Sequence, residues 1–150
     1  MPEIFKEYVE TKLAARKEDV REFVKELVLP ENLDLAVSMV EQYISAIPLS
    51  MSVFAGLVLD NAARESIRSY FALVFAYIIE PDNYLRKNVP DAIALVDDAY
   101  VLHSSLEIAL SIVDEEKKSR IAEQLEELKP VFAMTPQIRA KIPPHVLAKQ

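Results

Sequence analysis

The stretch Pro90-Asp91-Ala92-Ile93-Ala94-Leu95-Val96-Asp97-Asp98-Ala99-Tyr100-Val101-Leu102-His103-Ser104-Ser105-Leu106-Glu107-Ile108-Ala109-Leu110 decides the fold. Pro90 suits the first turn of a helix, with Asn88 as its cap. The spacing predicts a helix from Asp91 to about Val113. Five apolar residues precede Asp97 and Asp98 and four follow them, so the helix is apolar on nearly every side. Such a helix is buried, and the rest of the chain must supply what surrounds it.

The flanking segments read as helices too. Residues 3–28 carry Ile4, Phe5, Tyr8, Val9, Leu13, Val20, Phe23, Val24, Leu27 and Val28 at gaps of three and four, with a charged opposite face. Pro30 stops that helix and opens the next, which runs to about Ile47. Pro48 then breaks or kinks the chain, and a short apolar helix follows from Met51 to Leu59. Asp60-Asn61 reads as a junction. Ala63, Ile67, Tyr70, Phe71, Val74, Phe75 and Ile78 form a further helical stripe, ended by the turn residues Glu80-Pro81-Asp82-Asn83. Asp114 begins a charged helix carrying Ile121, Leu125 and Leu128, with Glu116→Arg120 and Asp114→Lys118 as favourable pairs. Pro130 is expected to end it, and Thr135-Pro136 to cap one last short helix. The tail from about residue 143 is expected to fray. No segment alternates like a half-buried strand, and no hairpin dipeptide occurs. The expectation is an all-α bundle of five to seven helices, a single domain over residues 1–150.

Composition excludes several chemistries. One glycine, Gly56, leaves no material for a glycine-rich phosphate loop. Zero cysteine removes disulfides, thiolate nucleophiles and thiolate metal sites, and fits a cytoplasmic setting. Two histidines, His103 and His145, cannot build a three-histidine zinc site. The formal net charge of −7 opposes nucleic-acid binding. Tyr43 to Leu59 is 17 residues without a charge, short for a spanning helix and interrupted by Pro48, so membrane contact is not expected.

The residues with chemistry are acidic. Asp97 and Asp98 point about 100° apart on a buried helix, and each needs a partner. With Asp82, and Asp91 as a further candidate, they could offer hard oxygen ligands to magnesium or manganese. Alternatively they pair with Arg64, Arg68 or Arg86, or accept backbone N–H bonds near residues 81–84. His103 and Glu107 share an i,i+4 face that could hold a metal, or His103 is a buried, hydrogen-bonded histidine. No serine-nucleophile elbow is present.

Tyr77-Ile78-Ile79-Glu80-Pro81, Val89-Pro90 and Asp97-Asp98-Ala99, with Asp60 and Arg64 before them, resemble the YkvA-like proteins, a bacterial and archaeal domain of unknown function. The resemblance covers about residues 60–103. The loop departs from the family's pattern: Pro81-Asp82 stands without a central Ile-Pro-Asp, and Ala94 lies near the place of its usual glycine. The resemblance implies no activity. Two functional expectations stand. One is a non-enzymatic helical interaction or scaffold module, without cofactor, binding a protein partner or a second copy as a homodimer. The other is a metal-dependent enzyme or small-ligand binder using Asp82, Asp97 and Asp98.

Overall fold

The computed structural model describes residues 17–59, 65–79 and 91–141. Seven α-helices and one 3-10 turn occupy them, with no strand among the described residues. The helices are α1 (Lys17–Lys25), α2 (Leu33–Ser45), α3 (Ile47–Leu59), α4 (Glu65–Ile79), α5 (Asp91–Leu110), α6 (Glu115–Arg120) and α7 (Ala122–Lys141). The 3-10 turn Pro30–Asn32 leads into α2. The fold is all-α.

Helix α5 is the axis. It packs against α1, α2, α3, α4 and α7, and every residue from Leu95 to Tyr100 is buried. That is what an all-round apolar helix requires. The surrounding helices contribute stripes at helical spacing: Val20 and Val24 from α1, Val37, Val40 and Ile44 from α2, Leu128, Val131 and Ile138 from α7. An edge-to-face pair, Phe54 against Phe71 at 5.1 Å between ring centroids, joins α3 to α4. On α3, Met51, Val53, Phe54 and Leu57 are buried, while Leu59 stands exposed at its end.

Prolines punctuate the chain less uniformly than their local chemistry suggests. Leu29, before Pro30, is extended as a pre-proline residue must be, and α1 stops at Lys25, before Leu27 and Val28. Pro48 does interrupt the chain. The break falls at Ala46, and α3 begins at Ile47, four residues before the expected Met51, because a proline fits a helix's first turn.

Pro130 and Pro136 behave otherwise. Helix α7 runs through both, so Pro130 does not end a helix and Thr135-Pro136 does not start one. A mid-helix proline costs roughly 3 kcal/mol through a lost hydrogen bond and a clash. Here a continuous buried stripe, Leu128, Val131, Met134 and Ile138, spans both sites. Both prolines lie on the exposed face, so neither ring interrupts that stripe. Burial of the stripe outweighs the local preference.

The Glu116–Arg120 pair forms at 2.9 Å. The Lys118 amine instead sits 3.5 Å from Glu115. Asp114 is the N-cap of α6, with extended backbone at φ −61 and ψ 149, and its carbonyl oxygen accepts from the Lys118 backbone N–H at 3.1 Å.

Candidate functional site

Two features stand out, one closed and polar, the other open and apolar. The closed one sits at the α2–α3 kink. Pro48 has no N–H to offer the carbonyl of Ile44, so the helical ladder is broken there. His103, from the middle of α5, reaches into the break. Its Nε2 lies 2.9 Å from the backbone carbonyl oxygen of Tyr43. Its Nδ1 lies 2.6 Å from the Ser50 hydroxyl.

A carbonyl only accepts, so Nε2 carries the proton, and Ser50 donates its hydroxyl hydrogen to Nδ1. The neutral ring is satisfied at both nitrogens. Burial pushes its pKa down to about 4, against a smaller upward pull from the Tyr43 carbonyl. The Tyr43 ring meets the imidazole edge-on, with centroids 4.6 Å apart. The Tyr43 hydroxyl shares a hydrogen bond of 2.9 Å with Thr135 on α7. Burial drives the Tyr43 phenol well above its ordinary range, opposed by the Thr135 bond and reinforced by Tyr100 and Glu107. Nearby, Arg139 donates to the Tyr100 hydroxyl at 2.5 Å.

A serine donating to a histidine is the first half of a nucleophile–base pair. Ser50 and His103 nonetheless both have 0% exposure, and the group orienting the ring is a peptide carbonyl. No substrate atom can reach the hydroxyl without the core opening. The arrangement pins three helices together at a kink. It also answers the His103–Glu107 alternative: both imidazole nitrogens are engaged within the core, and Glu107 is exposed.

The open feature is a groove of about 330 Å³. Phe23 and Val24 of α1, Leu27 and Val28 beyond it, Leu35, Ala36, Met39 and Val40 of α2, and Ile138 of α7 form its walls, with Val96 of α5 behind. Asn32 and Gln137 are its polar lining, and no charged residue lines it. Leu35 is 67% exposed at its edge, and Leu29 nearby in sequence is 62% exposed. Arg21 and Asp34, 2.9 Å apart, tie α1 to α2 on the surface.

Compared with family models, curated proteins and solved structures, the chain matches none.

Asp97 and Asp98 are both buried, at 0% and 5% exposure. Arg68 lies half-buried on α4, which packs against α5. Asp82, Arg64 and Arg86 lie outside the described residues, as do residues 80–90 of the YkvA-like segment, His145 and the tail. Asp91 falls in α5, with its side chain undescribed. Among the described residues no three acidic or histidine side chains gather where they could hold a metal ion. Helical residues Pro30–Leu59 are long and apolar enough to cross a membrane by length and composition, and the same stretch buries Tyr43, Ile44, Ile47 and Phe54 in the core.

Sequence reasoning missed Ser50, the Tyr43 carbonyl and the groove. The signal for the first two was present: a proline inside an apolar helical run, and a lone histidine on a helix that had to be buried. The groove has no local signal, because four elements build it.

Proposed function

We propose that this chain is a non-enzymatic interaction module that takes a short apolar protein segment in the groove between α1, α2 and α7. One observation carries the reading. The open concavity is walled almost wholly by apolar side chains, while the serine–histidine pair, the described residues' nearest approach to catalytic chemistry, is sealed in the core. Apolar surface left open at a groove marks an interaction site. Helix-in-groove and extended-peptide recognition both bury alternate apolar anchors in such walls.

A short segment fits better than a folded partner. Thirteen residues line the groove, below the roughly 20–30 residues a side of a stable protein–protein interface. A homodimer would need further surface, with the exposed Leu59, Leu73 or Ile108 as its sources.

The test uses Nile red, a neutral apolar dye, as the probe. The full chain should bind it saturably, and Met39→Glu should abolish binding while leaving the circular dichroism unchanged. Binding that survives Met39→Glu would place the apolar site elsewhere.

A further inference from the structure

We infer that the segment this groove takes is an amphipathic helix with an apolar face and basic flanks, not an extended strand and not a second copy of the chain. This rests on the groove being the docking site and names what docks there. The floor sets the shape. Asn32, Leu35, Ala36, Met39 and Val40 share one face of α2 and its cap, a straight ridge of about 12 Å at 1.5 Å per residue. Helices α1 and α7 each pack on α2 and on α5, and among the described residues they make no comparable packing with each other. The groove they share is bounded by helix surfaces, whose ridges accept the ridges of another helix.

Hydrogen bonding separates a helix from a strand. An extended guest laid along the same length would bring about four residues, and with them about eight backbone polar groups. The walls are helices that pair their own backbones, and no strand edge exists among the described residues. The polar side chains of the lining are Asn32 and Gln137. Asn32 is the N-cap of α2 yet makes no side-chain cap bond, so its amide is left to the groove. Two side-chain amides cannot pair that many groups, and a buried polar group without a partner is costly. A helix pairs its own backbone and presents only side chains, with anchors at i, i+3, i+4 and i+7.

Charge selects the flanks. No charged residue lines the groove, so the anchors are apolar and neutral. Glu22, Glu26 and Glu31 are exposed next in sequence to the lining residues Phe23, Leu27 and Asn32, against Lys25 alone. Arg21 and Asp34 offset each other, and Arg139 of α7 is turned to the Tyr100 hydroxyl. With a net charge of −7 on the whole chain, these surroundings attract a guest that carries Lys or Arg beside its apolar face. They repel a second copy, which brings the same negative charge. Thirteen lining residues also fall short of the roughly 20–30 a side of a stable protein–protein interface.

The probe is a fluorescein-labelled synthetic peptide of about 18 residues, long enough to form a helix, made of leucine, alanine and lysine. Its leucines stand at i, i+3, i+4 and i+7, with lysines beside them. It should bind the full chain saturably and displace Nile red. An isomer of the same composition with leucines at every second position should bind several-fold more weakly, as should a version with glutamate in place of lysine. Leu35→Glu should weaken the helical peptide several-fold even though it adds negative charge, and at 67% exposure Leu35 can be replaced without unfolding the chain. Equal binding of the two isomers, or of the lysine and glutamate versions, would overturn the proposal. So would a dimer of the chain that Leu35→Glu dissociates, which would assign the groove to a second copy. Nile red held in the groove but displaced by neither isomer would discard the helical guest and leave the docking groove standing. No Nile red binding at all would discard both.

Discussion

The α2–α3 kink and the groove beside α1 use opposite materials for opposite settings. At the kink, polar groups are buried where water cannot reach, and each is matched to a partner: imidazole to carbonyl, hydroxyl to imidazole, phenol to threonine. At the groove, apolar groups are left where water can reach them. The first arrangement holds only if every partner is present, because an unmatched buried polar group is costly. The second persists without a fixed partner, since an apolar wall has no bonds to satisfy. Among the described residues the polar cluster is closed and the apolar groove is open, and that contrast is what supports the proposal of a binding role.

The comparison predicts unequal sensitivity to mutation. His103→Ala should be the most damaging change. It strands the Ser50 hydroxyl and the Tyr43 carbonyl in the core and leaves a cavity, a loss of about 3–5 kcal/mol in chemical denaturation. A loss below 1 kcal/mol would mean that water enters and the kink is open.

Acid should act on the same group nearly as strongly. The unfolded histidine titrates near 6.5 and the folded one at about 4. The unfolded chain therefore binds the extra proton first. The stability tied to the neutral ring is fully present above pH 6.5 and falls as pH drops towards 4, by about 3 kcal/mol in all. Urea midpoints of the wild type and His103→Gln across that range check it. The wild type should lose more on acidification, and parallel curves would contradict a buried neutral imidazole.

Ser50→Ala should cost about 1–2 kcal/mol, since it removes one donor and leaves Nδ1 unmatched. At the other region, Leu35→Ala should change stability by less than about 0.5 kcal/mol while weakening Nile red binding. A clear stability loss there would show Leu35 to be part of the core.

The architecture was readable because its decisive helix is extreme. A run from Ala92 to Leu102 broken only by Asp97 and Asp98 admits no one-sided packing, so surrounding helices followed from it. Pro48 was readable for a similar reason: its chemistry is local, and the break fell close to it. Pro130 and Pro136 misled for the converse reason. Their local cost is real, but Leu128, Val131, Met134 and Ile138 share one buried stripe across them, and only tertiary packing reveals that. The polar knot joins His103 to a carbonyl 60 residues away and to a serine 53 residues away. No periodicity records such a contact. The acidic pair was noticed because charge inside an apolar run is conspicuous, and its burial follows from α5 being central.

Amide-resolved NMR of the full chain, titrated separately with Nile red and with magnesium, tests the assignment of function most directly. The account predicts that Nile red shifts the amides of Val28, Ala36, Met39 and Ile138, and that magnesium leaves the amides around Asp97 and Asp98 where they were. Saturable magnesium shifts at Asp97 and Asp98, with the groove amides unmoved by the dye, would contradict it and restore the metal-dependent reading.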